Sequence, residues 1–200
     1  MSLASRLRAV PLLAALGALA LPAAASAGPA HFGSCAGDLV AVFAPWHDNS
    51  LYISAPDGGL EAGGAGWGLA GGARVVSGGD PFSLDGSRSK KALSLPAGSS
   101  ATSPAACIAK GMPTFRFTAR NKGAAKSRLR VTIVYGAGGK KATKRAGDIT
   151  AGRSWSPARQ LSLKRGQVGS ATSVSFRFTP LDAAGRWQID SLYVDPRLSR

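Results

Sequence analysis

The chain has 200 residues, with 25 lysines and arginines against 10 acids, two cysteines and a formal charge of +15. Hydrophobic residues at 44% and charged ones at 18% exclude a disordered polycation. The 26 glycines follow no collagen period, and two cysteines cannot frame a disulfide-scaffold mini-protein, so one ordinary domain with a basic surface remains.

Residues 1–27 stand apart from that domain. Arg6 and Arg8 precede the apolar stretch Ala9 to Ala20, and Ala25-Ser26-Ala27 supplies the small residues of a signal-peptidase site. The stretch falls short of the about 20 residues a spanning helix needs. The sequence predicts cleavage between Ala27 and Gly28, and a retained anchor is the competing reading. Loss of Arg6 and Arg8 lowers the formal charge from +15 to +13. In an exported chain the even pair Cys35 and Cys107 forms a disulfide by default. Two alternatives stay open: lipidation of Cys35, which Phe32-Gly33-Ser34 matches poorly, and two free thiols. Cys35 and Cys107 with His31 and His47 lack the paired spacing of a zinc site.

The remaining elements are short period-2 runs separated by Gly, Pro, Asn, Asp and Ser. In chain order they are Leu39 to Phe43, Leu51 to Ser54, Trp67 to Ala70, Arg74 to Val76 and Leu93 to Leu95. Thr114 to Arg120 follows, with Phe115, Phe117 and Ala119 inward and Arg116, Thr118 and Arg120 outward. Arg128 to Tyr135 puts Leu129, Val131, Ile133 and Tyr135 on one face. Trp155 to Leu163 is weaker. Ser173 to Thr179 turns Val174, Phe176 and Phe178 inward and Arg177 outward, and Trp187 to Val194 closes the set. Glycine-rich Gly58 to Gly72 predicts turns, and Gly136 to Gly152 predicts an exposed hairpin tip carrying Lys140, Lys141, Lys144 and Arg145. These runs predict an all-β fold, a single antiparallel β-sandwich over residues 28–200.

Two segments stand out together: Gly59-Leu60-Glu61-Ala62-Gly63-Gly64-Ala65-Gly66-Trp67 and the closing run Trp187-Gln188-Ile189-Asp190-Ser191-Leu192-Tyr193-Val194-Asp195. They resemble the jelly-roll family of galactose-binding-like folds and carbohydrate-binding modules. With Leu95-Pro96-Ala97-Gly98-Ser99 and Phe176-Arg177-Phe178-Thr179-Pro180, the pattern is also similar to a group of secreted actinobacterial proteins. The resemblance covers roughly residues 35–197. It implies a structural calcium where the first and last strands meet, with Glu61 and Asp190 as ligands. Ser191 stands where many relatives have a second Asp, and Glu61 as a turn cap with Asp190 paired to an arginine is the alternative. No other cofactor is required.

Catalytic constellations are sparse. His47 adjoins Asp48, but neighbours on a strand point to opposite faces, and Glu61 is the only glutamate available for paired-carboxylate hydrolysis. The basic cluster is the stronger signal: residues 110–165 hold 15 Lys or Arg and one acid, Asp148. Arg116, Arg120 and Arg177, if their strands share a sheet, form a cationic face beside Lys140 and Lys141. Guanidinium forks match phosphate and carboxylate. Trp155, with Trp46 second, is a candidate sugar platform, whereas Trp67 and Trp187 belong to the core. The expectation is a secreted, non-catalytic module at the cell envelope, binding polysaccharide or an anionic wall polymer, with no specific nucleic acid. The alternatives are a structural or adhesion protein with protein partners, and a minor hydrolase. A merely solubilising cationic surface also stands open.

Overall fold

Alternation of phenylalanine with polar side chains drives the chain into extended backbone, because only a pleated strand puts every second residue on one face. The computed structural model describes residues 30–32, 35–84, 86–109, 114–137, 140–163 and 171–195. The predicted signal segment 1–27 lies outside them. The strands are β1 (Ala30–Phe32), β2 (Cys35–Gly37), β3 (Ile53–Ser54), β4 (Gly68–Ala70), β5 (Arg74–Ser77), β6 (Lys91–Pro96), β7 (Ser100–Thr102) and β8 (Ala106–Cys107). They continue as β9 (Thr114–Asn121), β10 (Leu129–Ala137), β11 (Lys140–Ile149), β12 (Ser156–Pro157), β13 (Leu161–Ser162), β14 (Ser173–Pro180) and β15 (Arg186–Asp195). A single 3-10 turn, Ala44–Trp46, is the helical element among the described residues. None of their helices is long and apolar enough to cross a membrane.

Two antiparallel sheets make the predicted sandwich. Sheet I runs β11-β10-β14-β7-β4, with β8 also on β14; sheet II runs β12-β9-β15-β6-β5, with β13 on β9 and β3 on β15. Phe115 and Phe117 of sheet II meet Phe176 and Phe178 of sheet I, with ring centroids 4.3 and 5.0 Å apart. Val131, Ile133, Trp67 and Trp187 complete the same buried cluster. Cys35 and Cys107 are joined, their Cα atoms 5.6 Å apart, so the disulfide pins β2 to β8.

Sheet II carries a second apolar layer on its outer face. Val42, Phe43, Tyr52, Leu84 and Tyr193 cluster there with Trp46 and Phe82. The layer depends on a bulge in β15. Ser191 takes φ 52, and the register with β9 shifts between Asp190 and Tyr193. Ile189 and Leu192 therefore both face the core while Tyr193 faces out. Segment 40–52 and the loop before β6 thus cover one end of sheet II and leave the other end uncovered.

Three expectations change. Lys140 to Arg145 lie within β11, paired residue by residue with β10, and not at a hairpin tip; a strand at a sheet edge tolerates charge on both phases because one side meets solvent. Leu39 to Phe43 contributes only a Val40–Tyr52 bridge before the chain turns into Ala44–Trp46, where Pro45 cannot donate to a ladder. Trp155 to Leu163 splits into β12 and β13, two short contacts with β9.

Candidate functional site

The uncovered face of sheet I forms a groove of about 510 Å³ lined by Gly68, Thr102, Val134, Ser175, Arg177 and Lys141, among others. Register explains the lining. Arg145, Thr132, Arg177, Thr102 and Gly68 form one row across five strands, and Val134 lies opposite Ser175 in the next. Arg177 Nε donates to Thr102 Oγ1 at 3.1 Å. Asp148, the one acid of the basic region, is already engaged: it accepts from Arg145 at 2.7 Å and from Arg130 at 3.1 Å. Burial pushes its carboxyl up, but the hydrogen bonds and charges of those arginines outweigh this and hold it below the usual value. Arg177 and Lys141 have no carboxylate partner among the described residues.

The cations expected to form one face do not share it. β9 and β14 lie in opposite sheets with their phenylalanines in contact, so Arg116 and Arg120 point away from Arg177. Lys140 and Lys141 belong to sheet I, on its edge strand. Arg116 is used internally. Its Nη1 lies 2.5 Å from Asp48 Oδ2, its Nε donates to the Ala158 carbonyl at 3.0 Å, and its guanidinium covers the Phe43 ring at 4.5 Å. Asp48 also accepts from Tyr52 Oη at 2.6 Å and Gln160 Nε2 at 3.2 Å. Burial, then the Asp48 hydrogen bond, push the Tyr52 phenol up to about 12. This cluster clamps segment 40–52 onto sheet II, and His47 sits exposed beside it at the end of the 3-10 turn.

Arg120 is different. It donates from Nε to Gln188 Oε1 at 2.6 Å and lies 4.7 Å over the Trp155 ring, so the half-buried Trp155 face carries a cation. Trp46 packs edge-on against Phe82 at 4.6 Å. Trp67 and Trp187, 8% and 1% exposed, are core residues as expected. Arg74, Lys122, Arg186 and Gln188 line a further groove beside Arg120. Sequence reasoning passed over them. Arg74 and Arg186 lay in or beside predicted strands, but their significance needed the strand order.

Glu61 and Asp190 are drawn together through one hydroxyl. Ser89 Oγ lies 2.6 Å from Asp190 Oδ2 and 3.3 Å from Glu61 Oε1. Three of their four carboxylate oxygens are also held by other donors: Glu61 Oε1 by the Lys90 and Lys91 amides, Asp190 Oδ2 by the Asp80 amide, and Asp190 Oδ1 by the Ser191 amide. Lys91 Nζ donates to the Glu61 carbonyl at 2.9 Å. A calcium here would have to share these oxygens with protein donors, and among the described residues no three His, Cys, Asp or Glu gather for a metal. Among the described residues Asp190 is not paired with an arginine either. Its neighbours are Ser89 and Asp80, whose Oδ2 accepts from Thr118 and Ser191 hydroxyls at 2.7 Å each.

No protein-family model and no curated protein matches the sequence. Solved structures match by fold. The N-terminal CBM22-1–CBM22-2 tandem domain of Paenibacillus barcinonensis Xyn10C is 16% identical over 86% of this chain, with a TM-score of 0.51; the chain spans 47% of that protein's length. The CBM22-1 xylan-binding domain of the same Xyn10C is 14% identical, covering 67% of this chain and 88% of its own, at 0.49. The enzymatically active domain of bacteriophage CBA120 tailspike protein 4 is 19% identical over 71% of this chain and 21% of its own, also at 0.49. At these identities the likeness is one of fold: this chain is a β-sandwich of the kind carbohydrate-binding modules use.

Proposed function

We propose that the chain is a non-catalytic module of the cell envelope that holds an acidic polysaccharide on the outer face of sheet I. The observation that carries this is the groove itself, where Arg177 and Lys141 stand beside Thr102 and Ser175 with no carboxylate partner among the described residues. Hydroxyls donate and accept, which suits sugar hydroxyls, and the cations suit carboxylate or phosphate substituents. The fold shared with a tandem carbohydrate-binding module supports the polysaccharide part, and the disulfide fits export to an oxidising compartment.

Titration with polygalacturonate and with neutral xylan tests it. The acidic polymer is expected to bind more tightly, to weaken as salt rises, and to lose about tenfold in affinity in Arg177→Ala/Lys141→Ala. Equal binding of xylan with no effect of the double variant overturns the acidic specificity. Binding of neither polymer returns the chain to an envelope protein with protein partners. The Glu61–Ser89–Asp190 clasp is proposed to hold without calcium, so the melting midpoint should be the same in EDTA and in millimolar Ca²⁺. A rise with Ca²⁺ that EDTA reverses overturns that.

A further inference from the structure

The uncovered end of sheet II has a row of its own. Arg74 on β5 lies opposite Ser94 on β6, Ser94 opposite Gln188 on β15, and Gln188 opposite Arg120 on β9. Neighbouring strands are about 4.8 Å apart, so the two arginines stand about 14 Å apart at the backbone. Arg186 and Lys122 follow in the next row, joined by a backbone hydrogen bond of 2.7 Å. The groove over Arg74, Ser94 and Gln188, lined also by Arg186 and Lys122 and adjoining Arg120, measures about 330 Å³. None of the four cations meets a carboxylate among the described residues.

The chemistry of the row is one-sided. Guanidinium and ammonium groups only donate, and Gln188 Oε1 already accepts from Arg120, leaving one lone pair beside its amide N–H groups. The Ser94 hydroxyl and the second lone pair of Gln188 Oε1 are the side-chain acceptors of the row, and the N–H donors outnumber them. A neutral sugar, which must both donate and accept, is poorly served. A single-stranded nucleic acid gains affinity by stacking bases on free aromatic faces, and the Trp155 face is occupied by Arg120. An acceptor-only chain matches this excess of donors. We infer that this end of sheet II is a second binding site, for a linear phosphate-bearing polymer laid along the Arg74–Ser94–Gln188–Arg120 row. Trp155 acts there as a backing plate that holds the Arg120 fork toward the ligand. The site shares no residue with the sheet I groove, so it stands or falls separately from the acidic-polysaccharide reading.

The test uses inorganic polyphosphate of defined length on the full chain, read by fluorescence anisotropy. Arg74→Ala/Arg186→Ala is expected to weaken binding about tenfold, while Lys140→Ala/Lys144→Ala, which removes the same charge from β11, changes it less than about twofold. Arg74→Lys/Arg186→Lys keeps the charge and loses the forks, and is expected to fall between wild type and the alanine pair. Unchanged melting midpoints in all three show that the variants are folded. Equal losses from the sheet II and β11 pairs mean diffuse attraction and overturn the site. Tighter binding of single-stranded DNA than of polyphosphate overturns the ligand class. Loss of polygalacturonate binding in Arg177→Ala/Lys141→Ala with polyphosphate binding intact supports both sites, and the reverse pattern separates their failures.

Discussion

Cys35→Ser/Cys107→Ser is expected to lower the free energy of unfolding by about 4 kcal/mol, measured by urea denaturation beside the oxidised wild type. The bridge spans 72 residues of sequence. Closing so long a loop removes a large share of the conformations open to the unfolded chain, and that entropy is the main stabilisation a disulfide supplies. The bridge also acts locally. Cys35 is 2% exposed and sits just before segment 40–52, which covers sheet II through Phe43, Tyr52 and the Asp48–Arg116 pair. The double serine variant avoids leaving one thiol free. A midpoint shift worth less than about 1 kcal/mol at an unchanged m-value would show that the unfolded chain is already held compact near these residues.

Between pH 4 and pH 7 the protein is expected to lose stability as pH rises, through Asp190. Burial raises its carboxyl to about 7, and the nearby Asp80 charge adds to this; hydrogen bonds from Ser89 and the Asp80 and Ser191 amides offset only part. The folded state therefore keeps a proton in a range where the unfolded carboxyl, ordinarily near 3.8, has lost it. Stability from that proton is full below about 4 and gone above about 7. Each tenfold difference in proton affinity between the two states is worth about 1.4 kcal/mol, so the loss comes to a few kcal/mol. Protonated Oδ2 can donate to Ser89 Oγ, whose hydrogen then turns to the Lys91 carbonyl at 3.1 Å. Asp48 and Asp148 act the other way, since both are held below the usual carboxylate value and their contribution is lost on acidification. Maximal stability is expected near pH 4 to 5. Asp190→Asn should flatten the slope between pH 4 and pH 7 whatever its absolute stability, and a slope that persists in the variant assigns it to another group.

The strands with large alternating side chains were legible from sequence alone. Phe115/Phe117, Val131/Ile133 and Phe176/Phe178 all face the core, and Trp67 and Trp187 fill it. β11 was not legible, because lysines occupy both of its phases and an edge strand needs no apolar face of its own. β7 and β8 are three and two residues of Ser, Ala, Thr and Cys, too short for any period to show. The candidate site was half visible. Alternation shows that Arg116, Arg120 and Arg177 point outward, but which sheet each strand joins is set by pairings between distant segments. Those pairings place Arg120 and Arg177 on opposite faces. Arg116 follows the same outward phase and is still engaged internally, because segment 40–52 folds over it.

The position of β15 has a kinetic consequence. It is the last described strand, yet it lies in the middle of sheet II, between β9 and β6, with β3 also paired to it. Until it arrives, β6 and β9 have no shared partner, and the buried Trp187, Ile189, Leu192 and Val194 that unite the core are missing. Three of the six pairings of sheet II, those to β9, β6 and β3, thus wait for β15. Folding dominated by contacts so distant in sequence is slow. A chain built this way can pair β10 with β11 and β5 with β6 early, but it closes sheet II only when β15 docks between β6 and β9.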